Sequence, residues 1–145
     1  MPDWIQQGYA EYHKRLPAEL KPQLHEITPV VRNKSTSVTK AKQEEAQRIQ
    51  RAIPDQAHIV CLDERGMSWD TVQLSQQLQH WSQHTRQLAL IIGGADGFAE
   101  EFLLRADQTW SLSPLTLPHG LVRVLVMEQL YRSWSLLNGH PYHRA

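Results

Sequence analysis

Cysteine is nearly absent from this chain. Of 145 residues only Cys61 carries a thiol, so an internal disulfide framework is excluded, and the usage fits a reducing compartment. Charge of one sign is also missing. Fifteen Lys and Arg balance 15 Asp and Glu, which argues against a general nucleic-acid binder with its basic excess. A local basic patch, or recognition of a large preassembled surface, stays open. Long apolar runs are lacking too, and no segment approaches the roughly 20 apolar residues that cross a bilayer as a helix. The opening M-P-D-W-I-Q-Q-G has no basic start followed by an apolar core, so no secretory signal is read there. There is no internal repeat and no low-complexity tract. What remains is an ordinary globular composition, 41% hydrophobic and 21% charged, at a length suited to one domain. Eight histidines make the true charge depend on pH near neutrality.

The pattern of apolar residues alternates helix and strand. Asp3 to Leu16 reads as a helix with Trp4, Ile5, Tyr9 and Tyr12 near one face and Pro17 just beyond its end. Gln23 to Val31 reads as a strand weakened by Pro29, and Asn33 to Thr39 as a polar loop. Lys40 to Ile53 is a charged helix stopped by Pro54. Ala57 to Asp63 is a buried strand, and Ser68 is the expected cap of a helix running to about Arg86. Leu88 to Ile92 is short and wholly apolar, as expected of a strand covered on both faces of a parallel sheet. Gly93, Gly94 and Gly97 turn the chain into a helix ending near Ala106. Thr109 to Leu117 is strand-like with a bend at Pro114, Gly120 to Leu137 is the last helix, and His140 to Ala145 is a tail. Strands separated by helices indicate an α/β fold with a parallel sheet. The last helix is apolar over most of its girdle, leaving a narrow polar face with Arg123, Glu128 and Arg132. Either a second subunit or the rest of the monomer could cover that girdle.

Several clusters bear on chemistry. I-G-G-A-D-G at Ile92 to Gly97 permits close backbone approach to a ligand. Its spacing departs from the dinucleotide fingerprint, and taken alone it reads as a tight turn. His80 and His84 stand four residues apart on a helix, a spacing that can hold zinc. No third ligand is evident and the segment lacks the metalloprotease glutamate, so a solvated helix face is expected and no metal. Arg32, Lys34, Lys40 and Lys42 occupy a stretch free of acids that suits either phosphate or solvent. The tail gathers His140, Tyr142, His143 and Arg144, residue types that move protons, stack on bases and hold phosphate.

Read together, three stretches are distinctive: L-I-I-G-G-A-D-G at Leu90 to Gly97, W-S-L-S-P-L-T-L-P-H-G-L-V-R-V-L-V-M-E-Q-L-Y-R-S-W at Trp110 to Trp134, and the terminal H-P-Y-H-R at His140 to Arg144. With the opening M-P-D-W and the stretch C-L-D-E-R-G-M-S-W-D, the chain resembles the ribosomal RNA large subunit methyltransferase H family of the SPOUT superfamily along its whole length. The resemblance implies a single domain over residues 1–145, with a parallel sheet and a deep C-terminal trefoil knot. It implies a cytoplasmic homodimer, with no membrane and no metal. It also implies S-adenosylmethionine as donor and methylation at N3 of a pseudouridine in large-subunit (23S) rRNA on the assembled ribosome, which would reconcile RNA chemistry with a neutral chain.

Carried onto this sequence, the family's cofactor positions fall on Leu62, Gly93, Leu112, Ser113, Pro114, Leu115, Thr116 and Leu117. Pro114 stands where the family tolerates small residues. For catalysis the resemblance points to His119, Arg123, Tyr142, His143 and Arg144, with His143 as a possible base, Arg144 for charge or phosphate, and Tyr142 for stacking or a hydrogen bond. Family members begin upstream of M-P-D-W with a short apolar strand and a glycine turn. The chain is therefore expected to lack that first strand, and the alternative reading is an N-terminally truncated, inactive homologue that binds cofactor or RNA.

Overall fold

The computed structural model describes residues 1–30, 37–94 and 97–143. Arg32 and Lys34 of the polar loop, and Arg144 of the tail, lie outside the described residues. The chain forms two compact units. One gathers Met1–Gln23, Trp69–Thr85 and Thr116–Ala145, the other Leu24–Ser68 and Arg86–Leu115.

The first unit is helical. It contains α1 (Asp3–His13), α3 (Thr71–His84) and α5 (His119–Leu137), followed by a 3-10 turn at Pro141–His143. On α3, Leu74, Leu78 and Trp81 recur at helical spacing and are buried. The cap of α3 is Asp70 and not Ser68. The Asp70 carboxylate accepts from the Gln73 N–H (2.8 Å), and the Gln73 side chain accepts from the Asp70 N–H (2.9 Å), a reciprocal box that satisfies two donors at once. Ser68 instead closes the preceding strand.

On α1, Ile5 is buried and Tyr9 and Tyr12 are half-buried, whereas Trp4 is 60% exposed. Only part of the expected apolar face is therefore covered. The broad girdle of α5 packs against α1, α3 and the tail turn of its own chain. Gly120 faces α1, and a Cβ there would run into the Ile5 side chain. The subunit covers this girdle only in part, since Val122, Val124 and Trp134 stay half-buried and Leu137 is 40% exposed.

The second unit holds α2 (Val38–Ala52), β1 (His58–Ser68), β2 (Leu88–Ile92), α4 (Glu100–Arg105) and β3 (Gln108–Ser111). Its three strands are all parallel in the order β2-β1-β3, in line with the α/β reading. Ser37 Oγ accepts from the Lys40 N–H (3.1 Å), so α2 begins earlier than the charge pattern suggests, and Pro54 follows its end. Cys61, Phe98, Ala99 and Phe102 form the buried cluster, with Ala46 and Ile49 of α2 packed on it.

Three expectations need correction here. β2 lies at an edge of the three-stranded sheet, and all five of its residues are only half-buried. The stretch from Gln23 to Val30 is not a strand. Its carbonyls and N–H groups turn to α2, with Arg48 donating to the Thr28 carbonyl (2.7 Å) and the Val30 N–H reaching Glu45 Oε1 (3.4 Å). β3 stops at Ser111 because the following residues fold on themselves. Ser111 Oγ donates to the Ser113 carbonyl (3.0 Å), Ser113 Oγ accepts from the Leu115 N–H (2.9 Å), and Pro114 has no N–H to offer a ladder.

Candidate active site

Strand register gathers the candidate cofactor residues of the sheet unit. Leu62 is aligned with Ile92 on β2 and with Trp110 on β3. Gly93 follows Ile92 directly and Leu112 lies two residues past Trp110. Gly93 and Leu112 therefore leave the sheet at the carboxyl ends of β2 and β3, level with Leu62 in the middle of β1, on the side where open α/β sheets bind ligands. Leu62 is 8% exposed while Leu115, at the crest of the bent loop, is 71% exposed. Ser113, Pro114 and Leu115 belong to this unit, whereas Thr116 and Leu117 fall in the helical one.

Beyond Leu62, β1 is irregular, and its pairing with β3 shifts between Leu62 and Met67. The break contains a polar fork. Arg65 donates from its backbone N–H (2.9 Å), Nε (2.9 Å) and Nη2 (3.0 Å) to the Asp63 carboxylate. Those bonds hold the Asp63 carboxyl below its ordinary range despite its partial burial, with Lys42 adding a smaller pull. Gly66 closes the irregularity, since a Cβ there would stand 2.5 Å from the carbonyl carbon of Thr109. Burial, with help from Asp63, pushes the Cys61 thiol up to about 12. That makes it an inert core residue and not a nucleophile.

The glycine turn is tight on both sides. Gly94 and Gly97 form an antiparallel bridge, with the Gly97 N–H donating to the Gly94 carbonyl (3.0 Å), and Gly97 has φ +76°. A Cβ on Gly93 would meet the Phe98 ring at 3.2 Å and one on Gly94 would meet Glu45 Oε2 at 2.9 Å. A side chain on Gly93 would press on the Phe98 ring, and one on Gly94 would push the Glu45 carboxylate aside.

In the helical unit, His119 is the exposed first residue of α5. Arg123, one turn on, is half-buried. It aims Nη1 at Met1 Sδ (2.9 Å) and lies close enough to Tyr9 to oppose the burial that raises that phenol.

The tail is docked. Gly139, with φ +68°, reverses the chain after α5, and the His140 N–H closes on the Ser135 carbonyl (2.9 Å), a glycine-terminated helix end. Tyr142 then lies against the Tyr131 ring at 4.5 Å and donates to Glu128 Oε1 (3.0 Å). Glu128 also accepts from Arg132 Nε (2.8 Å) and Gln129 Nε2 (2.8 Å), while the Arg132 guanidinium covers the Tyr142 ring at 5.0 Å. Burial, seconded by hydrogen bonds with Tyr12 and Glu128, raises the Tyr142 pKa, so the phenol stays a neutral donor. His143 Nδ1 is shielded and has no hydrogen-bond partner among the described residues.

The structure brings together Tyr142, Glu128 and Arg132, which sequence reasoning joined only in part. The signal was present in the Glu128 to Arg132 spacing of one helical turn. Lys42 and Glu45 at the glycine turn were also missed as a pair. They share a helix face with Ala46 and Ile49, an i, i+3, i+4, i+7 stripe. His80 and His84 have rings 4.5 Å apart on an exposed face of α3, and no group of three metal-ligating side chains occurs among the described residues.

Comparison with known proteins decides the family. Residues 1–143 match the family described as "Predicted SPOUT methyltransferase". The protein named ribosomal RNA large subunit methyltransferase H of Burkholderia mallei (strain SAVP1) is 50% identical over 145 residues, all of this chain and 93% of that relative. Proteins of the same name from Burkholderia vietnamiensis and Burkholderia ambifaria are 51% identical over the same shares.

The chain belongs to the SPOUT methyltransferase family. The SPOUT match covers every candidate residue except Arg144. No helix among the described residues is long and apolar enough to cross a membrane.

Proposed function

We propose that this SPOUT enzyme transfers the methyl group of S-adenosylmethionine to N3 of a pseudouridine in large-subunit (23S) rRNA. It does so as a cytoplasmic homodimer acting on the assembled ribosome, its single domain closed by the C-terminal trefoil knot of the family. The observation that carries this reading is the register that sets Leu62 level with Gly93 and Leu112 at the carboxyl ends of β2 and β3 in a chain half identical to rRNA methyltransferases. The homodimer rests on the family resemblance and on Trp4, left 60% exposed on α1.

The residues present fit the cofactor. An adenine needs an apolar slot edged by backbone donors and acceptors, and the Leu62, Leu112 and Leu115 side chains beside a serine-bent loop offer both. The bare backbone of Gly93 allows close approach, and a Cβ there would press on Phe98. When bound, the sulfonium supplies an already activated methyl.

The protein's tasks are then to align the acceptor nitrogen and to take up its proton. His143 is the base. Arg144 and Arg123 supply positive charge to the ring anion that forms as the imide proton leaves and to the RNA backbone, and His119 is the reserve proton acceptor. Tyr142, with its hydroxyl committed to Glu128, anchors the tail.

The test is transfer of labelled methyl from S-adenosylmethionine to ribosomes from a strain lacking this modification, with free rRNA alongside. Label should appear at N3 of one pseudouridine per ribosome and stay absent from free rRNA. Cofactor binding without transfer to either substrate would overturn the enzymatic reading.

A further inference from the structure

A small crevice at the glycine turn is lined by Lys42 and Glu45 of α2 and by Gly93, Gly94 and Gly97. Its volume is about 200 Å³ with its open mouth included. Most of that is open mouth, so the crevice can take at most one end of a ligand.

The crevice has a charged wall of both signs. Lys42 and Glu45 are one helical turn apart on the face of α2 that continues through Ala46 and Ile49 into the core. Glu45 is half-buried, yet among the described residues its one hydrogen bond comes from the Val30 N–H at 3.4 Å. A carboxylate so placed gains from a further donor. Its Oε2 lies 2.9 Å from the position a Cβ of Gly94 would take, so the missing side chain is what lets the carboxylate stand over the turn. A negative and a positive group set above bare backbone complement a zwitterionic α-amino acid.

Resting on the reading of S-adenosylmethionine as donor, we infer that Glu45 and Lys42 hold the amino-acid end of the cofactor, Glu45 receiving its ammonium and Lys42 its carboxylate. Both are then binding residues for the donor and take no part in moving the acceptor's proton.

Calorimetry with three probes tests this. S-adenosylmethionine and S-adenosylhomocysteine carry the amino-acid end, and 5′-methylthioadenosine lacks it. Glu45→Gln keeps an oxygen for the Val30 N–H and removes the charge. It should weaken the two amino-acid-bearing probes about tenfold or more, as for loss of a charge-assisted hydrogen bond, and leave methylthioadenosine within about twofold. Lys42→Met should do the same. Gly94→Ala, which displaces the carboxylate without altering it, should reproduce the pattern. Equal weakening of all three probes would make Glu45 a support of the turn and overturn the inference, as would unchanged affinity for the amino-acid-bearing pair. If the unaltered protein bound none of the three, the cofactor reading itself would fall, and the inference with it.

Discussion

The two units of this chain hold their candidate residues by different means. In the sheet unit, position follows from backbone register. Leu62, Gly93 and Leu112 share a level because three parallel strands are aligned there, and the fit depends on side chains that glycine does not have. In the helical unit, position follows from side-chain bonds, with Tyr142 tied to Glu128 and Arg132 of α5 and stacked on Tyr131. Rigid backbone suits recognition of an invariant cofactor. A segment fixed by a few polar bonds suits a group that must engage a large acceptor. The contrast predicts that damage to the sheet unit appears as lost cofactor affinity or stability, and damage to the tail as lost turnover.

The largest effect should come from deleting Tyr142 to Ala145. Single-turnover methyl transfer should fall about 10²–10⁴-fold, the usual range for removing a positioned base. Turnover that survived the deletion would move the base to His119 and the RNA contact to Arg123.

Next in size is Gly66→Ala. The added Cβ would meet the Thr109 backbone at 2.5 Å, and backbone cannot swing aside as a side chain can. Thermal or urea unfolding should show a loss of about 3 kcal/mol, at the upper end for overpacking. A loss below about 1 kcal/mol would mean that β1 and β3 separate freely at the irregularity.

Gly93→Ala is the sharper probe of the candidate cofactor turn, because its Cβ asks only a small shift of the Phe98 ring where a valine would ask a large one. Affinity for S-adenosylmethionine should drop about tenfold, equivalent to 1.4 kcal/mol, with a small change in melting temperature. Unchanged affinity would remove Gly93 from the site.

Much of this was legible in the sequence. Leu88 to Ile92 is the observed β2, residue for residue, because an uninterrupted apolar run bounded by a polar segment and glycines leaves little choice. The glycine turn at Gly93 to Gly97 and the bend at Pro114 were likewise legible as turns. The errors have local causes. Ser68 and Asp70 are both good caps, and the Gln three residues after Asp70 decides between them. The Gln23 to Val31 stretch has strand-like composition, yet extended chain becomes a strand only if a neighbour pairs with it, and its described part bonds to α2 side chains instead. The tail's docking could not be read from composition. It depends on Gly139 turning the chain back so that Tyr142 meets a polar patch on α5. A frayed tail and a docked one have the same sequence until that return is known.

Two smaller effects probe how each unit responds to pH. The Tyr142 pKa is raised in the folded protein from the ordinary 10.0. Its contribution to stability is therefore complete below the unfolded value and is lost as pH rises through the folded one. Tyr142→Phe should cost about 1 kcal/mol near neutrality, for one hydrogen bond to a partly exposed carboxylate, and should flatten part of the alkaline decline. An unaltered decline would show that Tyr142 is not anchored in solution.

The Asp63 pKa is lowered from 3.8. Its contribution is present above that value and is lost as pH falls through the folded one. With Arg65 largely exposed, Asp63→Asn should remove less than about 1 kcal/mol and reduce the acid sensitivity of unfolding. An equally steep acid limb in the variant would remove the fork as its source.

The measurement that bears most directly on the division between the units is calorimetric titration of S-adenosylmethionine into the protein lacking Tyr142 to Ala145, on the same preparation that has lost turnover. The account predicts a dissociation constant within about threefold of the full chain, a difference under 1 kcal/mol. A loss of affinity as large as the loss of turnover would contradict it, because the tail would then belong to the cofactor site and the two units would not carry separate tasks.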